Sequence, residues 1–213
     1  MNGHALSTKA KRRRFTPIAL TTGVLAAALL SVSMTGTLSG FVASINNTTN
    51  TTATGALIMQ EQNAGGTVTC LSTDGGTISS NTAQCATINK LGGSTTMIPG
   101  QSISTNITIK NTGTVAAGSF TLTPSACAQT NAATPAGTAT DLCTQLQLTI
   151  MQGTTQVYSG TAAGLGTTVR TIAGPPAAGV SLPFTFTVTL PSSAGNTYQN
   201  LQASIPLLWT FNS

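Results

Sequence analysis

Strict alternation of apolar and polar residues constrains this fold more than any other feature of the sequence. In residues 182–190 apolar side chains occupy every even position, and the odd positions between 185 and 189 are all threonine. Residues 102–110, 119–123, 145–150 and 201–211 show the same alternation. A period of two places alternate side chains on opposite faces of a strand. Threonine, which suits a pleated sheet, supplies 42 of the 213 residues. The pattern predicts antiparallel strands with one buried face.

Four weaker strand candidates complete the predicted fold: residues 56–60, 67–71, 156–160 and 167–172. Clusters of Gly, Pro and Asn separate the candidates, as expected for turns. About nine short strands of this kind predict an all-β fold, a two-sheet antiparallel sandwich that is jelly-roll-like, with an immunoglobulin-like sandwich as the alternative. Pro206 interrupts the last pattern on its outward side, which indicates an edge or a bulge there.

The basic character of the chain belongs to its first residues. Five of the eight Lys and Arg residues lie within positions 1–14, and an apolar run follows at 18–30. This order is typical of a secretory signal peptide, and we expect cleavage near Ser39 and Gly40. The prediction divides the chain into a signal peptide (1–40), a polar N-terminal arm (41–55) and a single β-sandwich domain (56–213). The alternative is an uncleaved leader, through which alone we expect the protein to contact a membrane.

Four cysteines follow the leader, and an even number in an exported protein predicts two disulfides. Of the three possible connectivities we favour the two local pairs, Cys70 with Cys85 and Cys127 with Cys143, because each closes a loop of similar size. A zinc site is the alternative, but the usual CxxC spacing is absent. We therefore expect a secreted protein, extracellular or at the cell surface.

The predicted exported part offers few groups for chemistry. It contains no histidine, three carboxylates and three cations. We therefore expect no enzyme activity, no catalytic residue, no metal and no cofactor. Three scattered cations also argue against nucleic-acid binding. We interpret Asp74, which precedes two glycines, and Asp141, which precedes Cys143, as turn or cap residues.

Two residue groups allow a more specific interpretation. Thr185, Thr187 and Thr189 form a row that fits an ordinary solvated strand face, with an ice-binding hydroxyl face as the alternative. Trp209 and the phenylalanines at 184 and 186 share the inward register of their aliphatic neighbours, which favours core packing over a sugar-binding platform.

Three stretches, taken in order, resemble the TasA/camelysin family of exported bacterial proteins. They are "FVASINN…TATGALIM" after the leader, "MIPGQSISTNITIKNTGTVAAGSFTL" at 97–122 and "FTFTVTLPSSAGNTYQNLQASIPLLWTF" at 184–211. The last stretch is similar to the actinobacterial branch, as is the cysteine pair that flanks "TPAGTATDLC". The resemblance covers nearly the whole chain.

This resemblance implies a jelly-roll fold and a secreted structural role at the cell surface or in the biofilm matrix. Members polymerise when the N-terminal strand of one subunit completes the sheet of the next, so self-association into filaments is expected, with other surface or matrix components as possible partners. The candidate assembly arm begins with Phe41, Val42, Ala43, Ser44 and Ile45. The alternative function is a monomeric surface adhesin or ligand-binding β-sandwich. A camelysin-like metallopeptidase is a weaker alternative, because the histidines that a zinc peptidase uses are missing.

Overall fold

Nearly all of the regular structure is β-strand, joined in antiparallel pairs. The computed structural model describes residues 51–213 except 77 and 79, and within them Ala53–Ser213 form a compact unit. The predicted leader, the Ser39–Gly40 cleavage region and the first ten residues of the arm (41–50), which include the candidate assembly residues 41–45, lie outside the described residues. Residues 51–55 are exposed and have no regular secondary structure.

Eleven strands are found in the described part of the chain. They are β1 (Met59–Asn63), β2 (Thr69–Leu71), β3 (Ser102–Asn111), β4 (Ser119–Pro124), β5 (Ala128–Asn131), β6 (Gln147–Gln152), β7 (Thr155–Thr161), β8 (Arg170–Thr171), β9 (Ser181–Thr189), β10 (Leu201–Ser204) and β11 (Leu207–Asn212). Two four-residue α-helices, Leu142–Gln145 and Ala162–Leu165, and a 3₁₀ turn, Asn196–Tyr198, lie between strands.

These strands form three antiparallel sheets. The largest has the order β2-β1-β3-β9-β6-β7, a second has the order β11-β4-β8, and β10 pairs with β5. The longest register joins β3 to β9, from Ser102 opposite Thr189 to Lys110 opposite Ser181. The all-β prediction is therefore confirmed, and the arrangement fits a β-sandwich.

Aromatic side chains hold the two larger sheets together. The ring centroid of Phe120 in β4 lies 5.9 Å from that of Phe184 in β9 and 4.8 Å from that of Phe211 in β11. Trp209 in β11 lies 4.9 Å from Phe184. Phe120, Phe184 and Phe186 are at most 1% exposed. Core packing of Phe184, Phe186 and Trp209 is confirmed.

The predicted last strand is divided by its proline. Residues 201–211 form two strands in different sheets, because Pro206 has no N–H for a ladder and the chain changes sheet between Ser204 and Leu207. The alternation nevertheless continues through the break, with Ile205 and Trp209 buried.

Four other predicted strand boundaries were wrong. Strand 145–150 begins only at Gln147, because Gln145 ends a short helix. The strand predicted at 56–60 begins at Met59, and the one predicted at 67–71 begins at Thr69. Within the predicted strand 167–172, only Arg170–Thr171 form a strand. Strand β5 had no clear alternation and was missed.

The segment "NTG" at residues 111–113 has a structural role. Asn111 is fully buried, and its side-chain amide donates to the carbonyls of Val115 and Pro176 at 2.8 and 3.1 Å. Its side-chain oxygen accepts from the backbone N–H of Gly113 at 3.0 Å. A Cβ on Gly113 would lie 2.2 Å from the carbonyl oxygen of Ala56, so this close approach requires glycine.

Candidate functional site

The structure pairs the four cysteines locally. Cys70 is bonded to Cys85 and Cys127 to Cys143, as favoured from the sequence. Each bond closes a loop of similar length, with sequence separations of 15 and 16. Two disulfides are compatible with an oxidising, extracytoplasmic environment.

The sheet edges differ in how well they are protected. At the ends of the largest sheet, β2 has three residues and is stapled by Cys70, while β7 has a register shift opposite Ile150 and Met151. In the three-stranded sheet, the edge strand β8 has two residues, but β11 at the opposite edge has six. Short strands and irregularities are the usual protection of exposed edges. Strand β11 lacks both.

One side of β11 has no strand neighbour among the described residues. The carbonyls of Pro206 and Asn212 accept bonds from Ser125 and Gly118 on the β4 side. Backbone groups of successive residues point to opposite sides of a strand. The N–H and C=O groups of residues 207, 209 and 211 therefore point away from β4, toward the free edge.

A cavity of about 830 Å³ runs along this free edge. Every residue from 202 to 211 lines it, which is expected when a cavity follows an edge rather than one face of a strand. The opposite wall consists of Leu57, Met59 and Glu61, the end of β2 and residues 81–91 except Thr87. We call this cavity the edge groove. Leu208, at its surface, is 54% exposed.

A buried ion pair forms part of the groove wall. The Lys90 ammonium lies 2.6 Å from Oε1 of Glu61, and the two side chains are 11% and 8% exposed. Glu61 is in the centre of β1, opposite Cys70 and Ile109. Burial raises the pKa of Glu61, and the nearby charge of Lys90 opposes this increase without cancelling it.

Several contacts fix the loop that carries Lys90. The side chain of Asn81 donates to the carbonyl of Leu57 at 2.6 Å and accepts from the Ser72 hydroxyl at 2.6 Å. Ile88 is 7% exposed and belongs to the core. Together with the Cys70–Cys85 bond, these contacts make the groove wall a packed part of the fold.

The other two carboxylates have structural roles. Asp74 accepts from the backbone N–H of Leu71 at 2.6 Å and closes a turn, as predicted. Asp141 precedes the helix Leu142–Gln145, and its carboxylate accepts from the Tyr198 hydroxyl at 2.8 Å. That hydrogen bond, and one from Gln145, lower the pKa of Asp141.

Among the described residues, no three His, Cys, Asp or Glu side chains come together as a metal site. In the same part of the chain, no helix is long and apolar enough to span a bilayer.

The sequence was compared with protein families and with curated proteins. No protein-family model matches the chain, and no curated protein matches its sequence.

Sequence reasoning missed the edge groove and the ion pair. Glu61 stands at a central position of a strand, between Gln60 and Gln62, and only its inward register could have indicated burial. Lys90 gave no such signal, because it lies in a loop between Gly- and Thr-rich segments.

Proposed function

We propose that this protein is a secreted structural protein of the cell surface or matrix, a fibre subunit that assembles by strand addition. The N-terminal arm of one subunit pairs with the free edge of β11 in the next and fills the edge groove. The unpaired edge of β11 beside this cavity is the observation that favours this function.

The chemistry of strand addition fits this edge. An added strand gains main-chain hydrogen bonds from an open edge, and neighbouring pockets select its side chains. Residues 207, 209 and 211 offer both a donor and an acceptor each. The groove also supplies apolar surface from Met59, Ile88 and Leu208, so hydrophobic burial adds to the hydrogen bonds.

The arm has the composition of a donated strand. Residues 41–55 contain no charged side chain, and Phe41, Val42, Ala43 and Ile45 supply apolar side chains in its first segment. A neutral strand meets little electrostatic resistance in a groove whose two charges already neutralise each other. The resemblance to the TasA/camelysin family supports the same proposal, including its jelly-roll topology.

Two variants test this assignment in the full-length protein. Removing residues 41–52 takes away the donor, and Leu208→Lys places a charge beside the acceptor edge, where it opposes pairing. Both variants should stay folded but remain monomeric in size-exclusion chromatography over time and concentration, with no filaments by electron microscopy. Ile98→Lys is the matched control, because Ile98 is 65% exposed and does not line the groove. Normal filaments from the truncated protein would exclude the proposal.

The second candidate is a monomeric adhesin or ligand-binding sandwich. The volume of the edge groove, about 830 Å³, lies within the range of small-molecule sites and favours this alternative specifically. The two functions differ in the behaviour of the unmodified protein. Growth into large species supports the fibre, and a monomer that persists at high concentration supports the adhesin.

A further inference from the structure

An uncharged polar surface covers the outer side of four strands in the largest sheet. It consists of the even-numbered residues 102–106 of β3, the odd-numbered residues 185–189 of β9, Gln147 and Thr149 in β6, and Ser159 and Thr161 in β7. We call it the threonine face. The strand registers align these residues in rows, since Thr149 lies opposite both Thr187 and Ser159.

Charge is absent from this face. From residue 51 onward the sequence contains six charged residues, and none belongs to the threonine face. Lys110 is on the same side of β3 but four positions beyond Asn106, beside Gln60 of β1. Soluble proteins usually distribute charges over exposed surfaces, where they oppose association. The threonine face has no such protection.

Six of its ten residues, those in β3 and β9, form hydrogen-bonded pairs with one another. Hydrogen bonds of 2.6 and 2.9 Å join Ser102 to Thr189 and Ser104 to Thr187, and Thr185 donates to Asn106 at 2.7 Å. Covering a polar group costs free energy mainly when its hydrogen bond is lost. These cross-strand pairs keep their bonds when water leaves, so the part of the face formed by β3 and β9 can be covered at low cost by another surface.

We propose that the threonine face is a self-association surface, on which a second copy of this chain packs face to face around a two-fold axis. An identical neutral face is a suitable partner, because it carries no repelling charge and has the same hydrogen-bonded pairs in β3 and β9. Packing of paired polar ladders between sheets is known to form dry contacts. Two-fold contacts also use the same patch on both partners.

The area of the threonine face indicates whether one contact can hold two molecules together. Two strands that contribute five residues and two that contribute three, about 4.8 Å apart, cover roughly 250–300 Å². A stable complex buries about 800 Å² per partner. Single copies should therefore remain apart, whereas objects that display many copies should adhere through the sum of weak contacts. This adhesion does not depend on strand addition at β11.

The test uses beads coated densely with the full-length protein, carrying Leu208→Lys to suppress strand addition. The protein is coupled to the beads through the carboxylate of Ser213. This residue follows β11 in the three-stranded sheet, so the threonine face of the six-stranded sheet stays outward. Beads with Thr149 unchanged should clump. Thr149→Lys or Thr149→Glu should reduce clumping at least ~10-fold, because opposed like charges are costly at an interface. A mixture of lysine and glutamate beads should clump again, because opposite charges then meet.

Controls separate this surface from other causes. Thr130→Lys changes the charge equally on exposed strand β5 and should leave clumping intact. Circular dichroism melts show that each variant is folded. Undiminished clumping by Thr149→Lys, or failure of the mixture to restore it, overturns the proposal. Adsorption of the same beads to cellulose is the second measurement. If Thr149→Lys abolishes adsorption to cellulose but leaves clumping unchanged, the proposal is also overturned, and the face is assigned to a neutral polysaccharide.

Discussion

Replacing Glu61 by methionine would leave the Lys90 ammonium buried without its partner. The two side chains are 8% and 11% exposed, so little solvent compensates the remaining charge. Removing one member of such a pair typically costs about 3–5 kcal/mol. We expect that loss for Glu61→Met and a similar one for Lys90→Met.

The double variant should behave differently. With both charges gone, methionine side chains can pack against Ile88 and Met59, and neither ion has to be desolvated. Such replacements are often neutral or stabilising by about 1–4 kcal/mol. The raised pKa of Glu61 favours this outcome, because it shows that burial opposes the charged form more than Lys90 supports it. The double variant should thus be at least as stable as the unmodified protein.

Urea unfolding without reductant measures these differences. Trp209 is the sole tryptophan in the chain and is 8% exposed, so its fluorescence reports opening of the groove. The pH dependence is an internal check. Because the folded pKa of Glu61 lies above its ordinary value of 4.5, folding binds a proton, and this contribution to stability is present at low pH. This contribution to stability is lost as pH rises from about 4.5 through the raised folded pKa. The Glu61→Met variant has no carboxyl group there, so its stability should not fall over that pH range for this reason. Losses in the two single variants that simply add in the double variant would refute the reasoning.

Three further predictions concern structural contacts. Replacing both Cys127 and Cys143 by serine should lower the free energy of unfolding by about 3 kcal/mol in denaturant titrations, because the closed loop no longer restricts the unfolded chain. Asn111→Ala should cost about 2–3 kcal/mol in the same assay, because buried carbonyls lose their donor, and an unchanged midpoint would contradict the assigned bonds. Tyr198→Phe should raise the pKa of Asp141 in a carboxyl NMR titration. Since a lowered folded pKa gives stability that disappears as pH falls, this variant should also lose less stability on acidification.

Alternation made most of the fold predictable. Residues 102–110 and 182–190 have the predicted strands, and their buried rows are the predicted ones, because a slip by one residue would expose Ile107 and Phe184. The local disulfides were also foreseen from loop length. Strand β5 was not, because its pairing with β10 depends on the position of a distant segment.

The candidate site was less accessible to sequence reasoning. The sequence by itself determined a neutral, threonine-rich β protein with few titratable groups, because composition and periodicity are local properties. Only the tertiary structure decided which edge strand borders a cavity, since β11 lines the edge groove after the chain changes sheet at Pro206. It also decided that Glu61 and Lys90 meet, 29 residues apart in sequence, because β1 and the loop after Cys85 pack together. Edges, grooves and ion pairs arise from contacts between distant segments, and no local pattern encodes them.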